Sequence, residues 1–151
     1  MIVDNSHLNE KGFWDIAKYS HHPLVATHSN VHTICPHTRN LTNRQLDAIK
    51  DTRGMVGVNF APAFLRQDGK MLADTDIQLI IDHFKYLIDH LGEDHVGFGS
   101  DFDGAMMPKE LNSVTEMPKI IELMQNQGFD YSLLNKICHQ NWINLIKKIL
   151  I

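Results

Sequence analysis

The chain has 151 residues, of which 43% are hydrophobic, and its formal net charge is -4. This length and hydrophobic content suit a single domain, residues 1–151, with a substantial core, and they exclude a disordered tail. The charges are spread without runs, so the sequence offers neither a basic stripe for nucleic acid nor a polybasic segment for anionic lipid. We therefore expect neither a nucleic-acid partner nor a membrane partner.

Targeting signals and cysteine usage favour a cytoplasmic protein. Residues 1–4 lead directly into polar residues rather than into a signal peptide, and no apolar run approaches the roughly 20 residues of a membrane span. The two cysteines, Cys35 and Cys138, lie far apart and form no CxxC motif. This pattern is typical of reduced thiols.

Four short apolar segments have the composition of β-strands, and helical patterns follow them. The strands are predicted at residues 1–4, 23–27, 55–60 and 95–100, and the helices at 9–17, 42–49, 75–91, 118–127 and 132–149. Alternating strands and helices predict an α/β fold with a parallel sheet. Four such βα units, followed by C-terminal helices, make up half of a (β/α)8 barrel.

Helix ends can be predicted from local chemistry. Asn9 is a candidate N-cap for the first helix, and Thr42 forms a capping box with Gln45 at the start of the second. For the third helix we expect a cap at residue 74 or 75 and termination at Gly92.

Two histidines follow the first two predicted strands. His7 and His28 lie 21 residues apart, so adjacent parallel strands would bring both imidazoles to one rim of the sheet, as in a metal site. The alternative is that each ring only donates a hydrogen bond to a backbone carbonyl, as is common in βα loops. His83 and His90 lie on one helix face outside the apolar stripe, which we interpret as a solvated face.

Three further polar residues are candidates for chemistry at the same rim. Arg39 follows the His28 strand closely, and its planar fork suits a carboxylate substrate, although the spacing alone favours a plain surface arginine. Asp101, at the end of the fourth strand, is a candidate acid/base or amine-binding carboxylate. Asp103 is as well explained by a turn, because the calcium-loop positions that follow hold Ala105 and Asn112.

Four motifs together resemble the C-terminal half of the renal (membrane) dipeptidase family of zinc metallopeptidases. They read Asp-Asn-Ser-His at residues 4–7, Thr-His-Ser-Asn at 27–30, Arg-Asn-Leu-Thr at 39–42 and Gly-Ser-Asp-Phe-Asp-Gly at 99–104. The resemblance covers essentially the whole chain. It implies a (β/α)8 barrel, two zinc ions joined by a glutamate, and hydrolysis of dipeptides by a metal-activated water.

The resemblance also assigns roles to individual residues. His7 and His28 would ligate one of the two zinc ions. Arg39 would bind the C-terminal carboxylate of the dipeptide. Asp101 would meet the free amino group of the substrate and shuttle a proton. These assignments agree with the chemistry that each side chain offers.

The chain also departs from the family pattern. The family's N-terminal half supplies a His-x-Asp on the first strand, a bridging glutamate and a further histidine, and we find no counterpart of them here. At most one partial zinc site is therefore expected, and two functions stay open. One is a zinc dipeptidase whose other half is a separate chain or was lost from this reading frame. The other is a non-catalytic remnant or half-barrel subunit that binds metal weakly or serves in interaction.

An open half-barrel would also leave its two edge strands without neighbours. Their apolar residues Ile2, Val3, Val96 and Phe98 should then be partly uncovered. Such edges favour association, either with a missing N-terminal half or as a homo-oligomer.

Overall fold

A computed structural model describes residues 1–150 and contains a small parallel sheet. The strands are β1 (Val25–Ala26), β2 (Met55–Val58) and β3 (Val96–Phe98). They lie side by side in the order β1-β2-β3, and every pair is parallel. Consecutive parallel strands place the loops that follow them at one edge of the sheet. The predicted mixed α/β fold with a parallel sheet is thus confirmed.

Helices make up most of the remaining regular structure. They are α1 (Glu10–Tyr19), α2 (Asn43–Asp51), α3 (Pro62–Leu65), α4 (Gln78–Leu91), α5 (Met117–Asn126), α6 (Tyr131–Asn135) and α7 (Asn141–Leu150). A π-helical turn at Lys136–Gln140 connects α6 to α7, so the predicted last helix is divided. Within residues 1–150, no helix has both the length and the apolar character that crossing a bilayer requires.

Most of the predicted helix ends are confirmed. The Asn9 side chain accepts a hydrogen bond from the Gly12 amide, and the capping box at the start of α2 is complete. Gly92 ends α4 with φ = 95°, a conformation that suits glycine. The predicted cap of α4 at residue 74 or 75 is wrong, because α4 begins at Gln78, whose amide donates to the Asp76 side chain.

The first predicted strand is reduced to a single parallel bridge between Asp4 and Val25. The chain turns directly afterwards, at residues 6–7. The Asn5 amide and the Asn5 side chain both donate to the Val25 carbonyl, at 2.8 and 3.0 Å. The Asn5 side chain thus shares the Val25 carbonyl with its own backbone amide, and the two bonds hold this turn against β1. The bridge still places the turn that follows residue 4 beside the turn that follows β1.

The two faces of the sheet are covered differently. Alternate strand residues such as Val56 and Val96 pack in the large core against the helices, whereas Val25 and Met55 pack on the other face with Leu145 of α7. This alternation follows from the two-residue period of a strand. Both faces are therefore occupied by side chains.

Val96 was expected to be partly uncovered, and this prediction is wrong, since its side chain is fully buried. The C-terminal segment covers its edge of the sheet. Asn141 donates from Nδ2 to the Val96 carbonyl at 2.9 Å, and Trp142 donates from Nε1 to the Phe98 carbonyl at 3.0 Å. Side-chain donors thus satisfy edge carbonyls that a further strand would otherwise pair. Val3, at the opposite side, is exposed as expected.

His83 does not lie on a solvated face, which corrects the interpretation from helical spacing. Its ring is fully buried, Nδ1 accepts from the Val31 amide at 3.1 Å, and Nε2 donates to the Leu65 carbonyl at 3.2 Å. Both ring nitrogens have partners only when the imidazole is neutral. Burial accordingly lowers the pKa of His83 to about 4.

We expect His83 to make stability depend on pH. Its pKa falls from 6.5 to about 4 on folding, so the unfolded chain binds this proton first as the pH drops. The stabilisation is complete above pH 6.5 and is lost between pH 6.5 and about 4, by about 3 kcal/mol in total. Urea unfolding across this range should show the loss. His83→Asn should flatten the dependence, whereas His21→Asn, at an exposed site, should retain it. Equal slopes in both variants would contradict the assignment.

Candidate functional site

The two histidines predicted at the sheet rim lie next to each other. His7 follows the bridge at Asp4, and His28 follows β1 by two residues. Their Nε2 atoms are 2.8 Å apart, and their ring centroids are separated by 4.9 Å. Parallel pairing of the two segments produces this proximity, as the strand-end placement predicts. A role in metal binding remains a prediction.

Arg39 reaches the same histidine pair from the loop before α2. Its Nη2 lies 3.4 Å from His7 Nε2, and its guanidinium carbon lies 5.4 Å from the centre of the Phe64 ring. The aromatic face restricts the guanidinium and favours its charge. Burial lowers the pKa of Arg39, while the negative charges of Asp101 and Asp4 act in the opposite direction.

Asp101 lies in a tight turn after β3. Its backbone is in the left-handed region at φ = 65°, and its Oδ2 accepts a hydrogen bond from Asn59 Nδ2 at 3.0 Å. Gly104 closes the turn by donating to the Asp101 carbonyl at 3.1 Å, and a Cβ at this position would collide with Asp101 Oδ1. Asp103 is exposed and also left-handed, at φ = 65°, which suits its predicted place in the turn.

Electrostatics indicates that these groups share one rim. Burial lowers the pKa of His28, and the charges of Asp101 and Asp4 oppose that change. The neighbouring His7 and Arg39 add to the lowering. His28 is therefore close enough to two carboxylates and one guanidinium to feel all three charges.

Sequence reasoning missed the residues that support this rim, beginning with Asp4. Its carboxylate accepts hydrogen bonds from the backbone and the hydroxyl of both Ser6 and Thr27. Thr27 Oγ1 in turn lies 2.7 Å from His28 Nδ1. Burial raises the pKa of Asp4, but the four hydrogen bonds outweigh it and leave that pKa below its usual value. The only signal in the sequence was that Asp4, Ser6 and Thr27 belong to the motifs at residues 4–7 and 27–30.

Asn59 and Asn30 form a second support, buried beneath Asp101. The Asn59 amide donates to Asn30 Oδ1 at 3.0 Å, and Asn30 Nδ2 donates to the Asn59 carbonyl at 2.9 Å. Asn59 Oδ1 accepts from the Ala61 amide, so its Nδ2 is directed to Asp101. The signal in the sequence was one polar residue, Asn59, inside the apolar segment 55–60.

The donor set fits part of a zinc site. Two imidazole nitrogens on a tetrahedral zinc stand roughly 3.3 Å apart, given zinc–nitrogen bonds of about 2.0–2.1 Å. The His7 and His28 nitrogens, at 2.8 Å, are close to that separation. A catalytic zinc ordinarily has three protein ligands. No group of three or more His, Cys, Asp or Glu side chains in residues 1–150 is arranged to hold a metal ion.

Comparison with known proteins identifies the family. Residues 1–150 match the family model described as membrane dipeptidase, peptidase family M19. The chain belongs to the membrane dipeptidase family. This confirms the family indicated by the four motifs.

Relatives of known sequence cover nearly the whole chain. An uncharacterised Klebsiella pneumoniae protein from the pqqA 5' region is 50% identical over 149 residues, which are 99% of this chain and 55% of that protein. A Claviceps purpurea dipeptidase is 32% identical over 152 residues, which are 99% of this chain and 35% of the dipeptidase. The family member described here thus spans about half, or less, of these relatives.

Solved structures of the family share the fold. A Rhodobacter sphaeroides metallopeptidase, liganded with a phosphinate mimic of the dipeptide L-Ala-D-Ala, superposes with a TM-score of 0.93 and 53% identity. The match covers 95% of this chain and 41% of the metallopeptidase. A probable dipeptidase from Pseudomonas aeruginosa shares the fold with a TM-score of 0.83 at 22% identity.

Proposed function

We propose that this chain is the part of a zinc-dependent dipeptidase that supplies two ligands to one zinc ion and holds the dipeptide. His7 and His28 are the ligands, Arg39 binds the substrate carboxylate, and Asp101 meets the amino group and transfers a proton. The observation that supports this most is the 2.8 Å separation of the two Nε2 atoms, with the Arg39 guanidinium 3.4 Å from His7. Membership of a dipeptidase family supplies the reaction class.

The division of work follows from the chemistry of each group. A bound zinc supplies a Lewis acid that polarises the peptide carbonyl and lowers the pKa of a water molecule. The chain's own histidines hold that ion through Nε2. The full site would bind two zinc ions, and residues outside this chain would complete the ligand set, because catalytic zinc ordinarily needs three protein ligands.

Arg39 fixes one end of the substrate. Its guanidinium offers two parallel donors to a carboxylate, and the Phe64 ring beneath it limits the orientations of the fork. A dipeptide held by its C-terminal carboxylate can extend toward the two histidines, because Arg39 contacts His7 directly. Binding at one end therefore orients the scissile bond over the metal ligands.

Asp101 fixes the other end. Asn59 holds its Oδ2, which leaves Oδ1 for a substrate ammonium or for a transferable proton. A carboxylate in this position can accept a proton during attack and return it to the leaving amine. The backbone of residue 101 is left-handed at φ = 65°, and its carboxylate faces Asn59, which follows β2.

A second candidate is a half-barrel subunit that binds metal weakly or serves in interaction. Two donor nitrogens give a weaker site than three or four, and Val3 at the side of the sheet next to β1 is exposed. The two candidates predict different effects of adding a complementary N-terminal part to this chain. Under the dipeptidase proposal a complementary N-terminal part restores catalysis, and under the alternative it does not.

A chimera tests the proposal. In this chimera the present chain replaces the 41% of the Rhodobacter sphaeroides metallopeptidase that it matches. We expect the chimera to bind two zinc ions and to hydrolyse dipeptides, with the unaltered metallopeptidase as the positive control. The isolated chain should bind zinc weakly and should show no comparable turnover. A folded chimera without dipeptidase activity would favour the interaction module.

Arg39→Lys in the chimera should weaken binding of dipeptides that have a free carboxylate. A lysine keeps the charge but loses the second parallel hydrogen bond, which is worth roughly tenfold in KM. Dipeptide amides, which lack the carboxylate, should be affected much less. Arg44→Lys, the same change at an exposed residue over Trp14, is the matched control. Equal losses with both substrate types would remove Arg39 from the carboxylate site.

A further inference from the structure

A single carboxylate ties together the two turns that carry the histidines. Asp4 Oδ1 accepts from the Ser6 amide at 3.0 Å, from the Ser6 hydroxyl at 2.8 Å and from the Thr27 amide at 3.0 Å. Its Oδ2 accepts from the Thr27 hydroxyl. Ser6 directly precedes His7, and Thr27 directly precedes His28. The Asp4 side chain therefore holds the two turns at a fixed distance from each other, and it contacts neither Nε2 atom.

The connection from Asp4 to the His28 ring runs through one hydroxyl. Thr27 Oγ1 lies 2.5 Å from Asp4 Oδ2 and 2.7 Å from His28 Nδ1. Asp4 Oδ2 is 3.8 Å from the same Nδ1, beyond direct hydrogen bonding. Asp4 is therefore connected to the ring nitrogen by hydrogen bonds only through Thr27, although its charge also acts on the ring directly.

The proton count at the Thr27 hydroxyl has one solution. An ionised carboxylate only accepts, so the single hydroxyl proton of Thr27 points to Asp4. The Thr27 oxygen is then left to accept, and His28 Nδ1 must be the donor. A neutral imidazole with its proton on Nδ1 has its lone pair on Nε2. That lone pair faces His7 Nε2 at 2.8 Å, so in the metal-free chain His7 Nε2 is the donor between the two rings. The Arg39 Nη2 atom, 3.4 Å from His7 Nε2, is then a neighbour of that nitrogen and not its hydrogen-bond donor.

We propose that Asp4 and Thr27 are positioning residues that hold the His28 imidazole in the tautomer protonated at Nδ1, with Nε2 free to bind a metal. A third contact supports the orientation, since the His28 amide donates to Ser6 Oγ at 3.0 Å. The claim about the tautomer stands on geometry alone. Only the identity of what Nε2 binds rests on the proposed zinc dipeptidase function.

The tautomer can be read directly in the metal-free chain. Residues 1–151 labelled with ¹⁵N-histidine should show, at a pH where the ring is neutral, the two-bond proton–nitrogen pattern of an Nδ1-protonated His28. Loss of one set of signals in His28→Asn assigns the resonance. A spectrum of the unaltered chain that shows His28 protonated at Nε2 would by itself overturn the proposal.

Three variants test whether the relay of hydrogen bonds from Asp4 through Thr27 to His28 sets the tautomer or only supports the fold. Thr27→Val keeps the shape of the side chain but removes the hydroxyl, so the Nε2-protonated form should gain population, and Thr27→Ser should restore the wild-type pattern. Asp4→Asn offers a donor to Thr27 in place of an acceptor, so the relay should reverse and place the proton on Nε2. Asp15→Asn, the same change at an exposed residue of α1, should leave the pattern unaltered. An unchanged tautomer in both Thr27→Val and Asp4→Asn would refute the proposal.

Zinc affinity provides the second measurement. Competition with a chelator should show a loss of roughly 10- to 100-fold in Thr27→Val and near wild-type affinity in Thr27→Ser. A tautomer that shifts as expected, combined with zinc affinity that His28→Asn does not change, would support the positioning role and reject the ligand role. An unchanged tautomer would reject the positioning role, whatever the zinc result.

Discussion

His28→Asn in the chimera should lower kcat/KM for dipeptides by roughly 10³ or more and should reduce the zinc content. The Lewis-acid contribution of a metal is worth several kcal/mol, and each 1.36 kcal/mol corresponds to about tenfold in rate. Asparagine removes the imidazole nitrogen that lies 2.8 Å from His7 Nε2 but keeps a polar side chain at a half-buried site. The same loss is expected for His7→Asn, because we propose that His7 Nε2 and His28 Nε2 ligate the same zinc ion.

Two measurements decide this prediction. Zinc per chain, determined after dialysis, should fall together with activity, and far-ultraviolet circular dichroism should show that the fold persists. His139→Asn, an identical change at an exposed position outside the rim, should leave zinc and activity within about twofold. Full zinc occupancy and full activity in His28→Asn would show that other residues hold the metal.

The placement of the histidines could be predicted because it depends on topology alone. An apolar strand followed by a helix puts the next polar residues at the carboxyl rim, whichever residues build the rest of the sheet. His7 and His28 meet for that reason, although residues 1–4 form only one bridge. Exact strand length was therefore not needed to bring the two rings together.

The supports of the site could not be predicted, since they depend on register. Asp4 meets Thr27 across 23 residues, and Asn59 meets Asp101 across 42. Spacing along the chain does not reveal which side chains will face each other between neighbouring turns. An asparagine inside an apolar strand segment, such as Asn59, is a usable hint, because a buried strand would require partners for its amide.

The prediction of a solvated position for His83 was wrong for a different reason. Helical periodicity treats histidine as polar, but a neutral ring with both nitrogens paired is stable in a core. The two partners, the Val31 amide and the Leu65 carbonyl, lie 52 and 18 residues away. Nothing within α4 itself could have indicated them.

Asp101→Asn in the chimera should lower kcat by roughly 10²–10⁴ while zinc content stays unchanged. Loss of a positioned acid/base group typically has this effect, and an asparagine can neither take up nor release the proton. The substitution is conservative for the backbone, because asparagine tolerates the left-handed conformation of residue 101 at φ = 65°. A fall in rate would therefore report chemistry and not a broken turn.

Asp103→Asn is the matched control, because Asp103 occupies the same turn at the same φ of 65° but is exposed. Its kcat should remain within about twofold of the parent. The two roles of Asp101 separate with a second substrate whose amino group is acetylated. If Asp101 binds the ammonium, Asp101→Asn raises KM only for the free dipeptide, because the acetylated one never makes that contact. If it transfers the proton, kcat falls for both substrates, since each passes through the same protonation of the leaving amine. Equal kcat values in Asp101→Asn and Asp103→Asn would exclude the proton-transfer role, and the KM comparison would then decide whether Asp101 serves in binding.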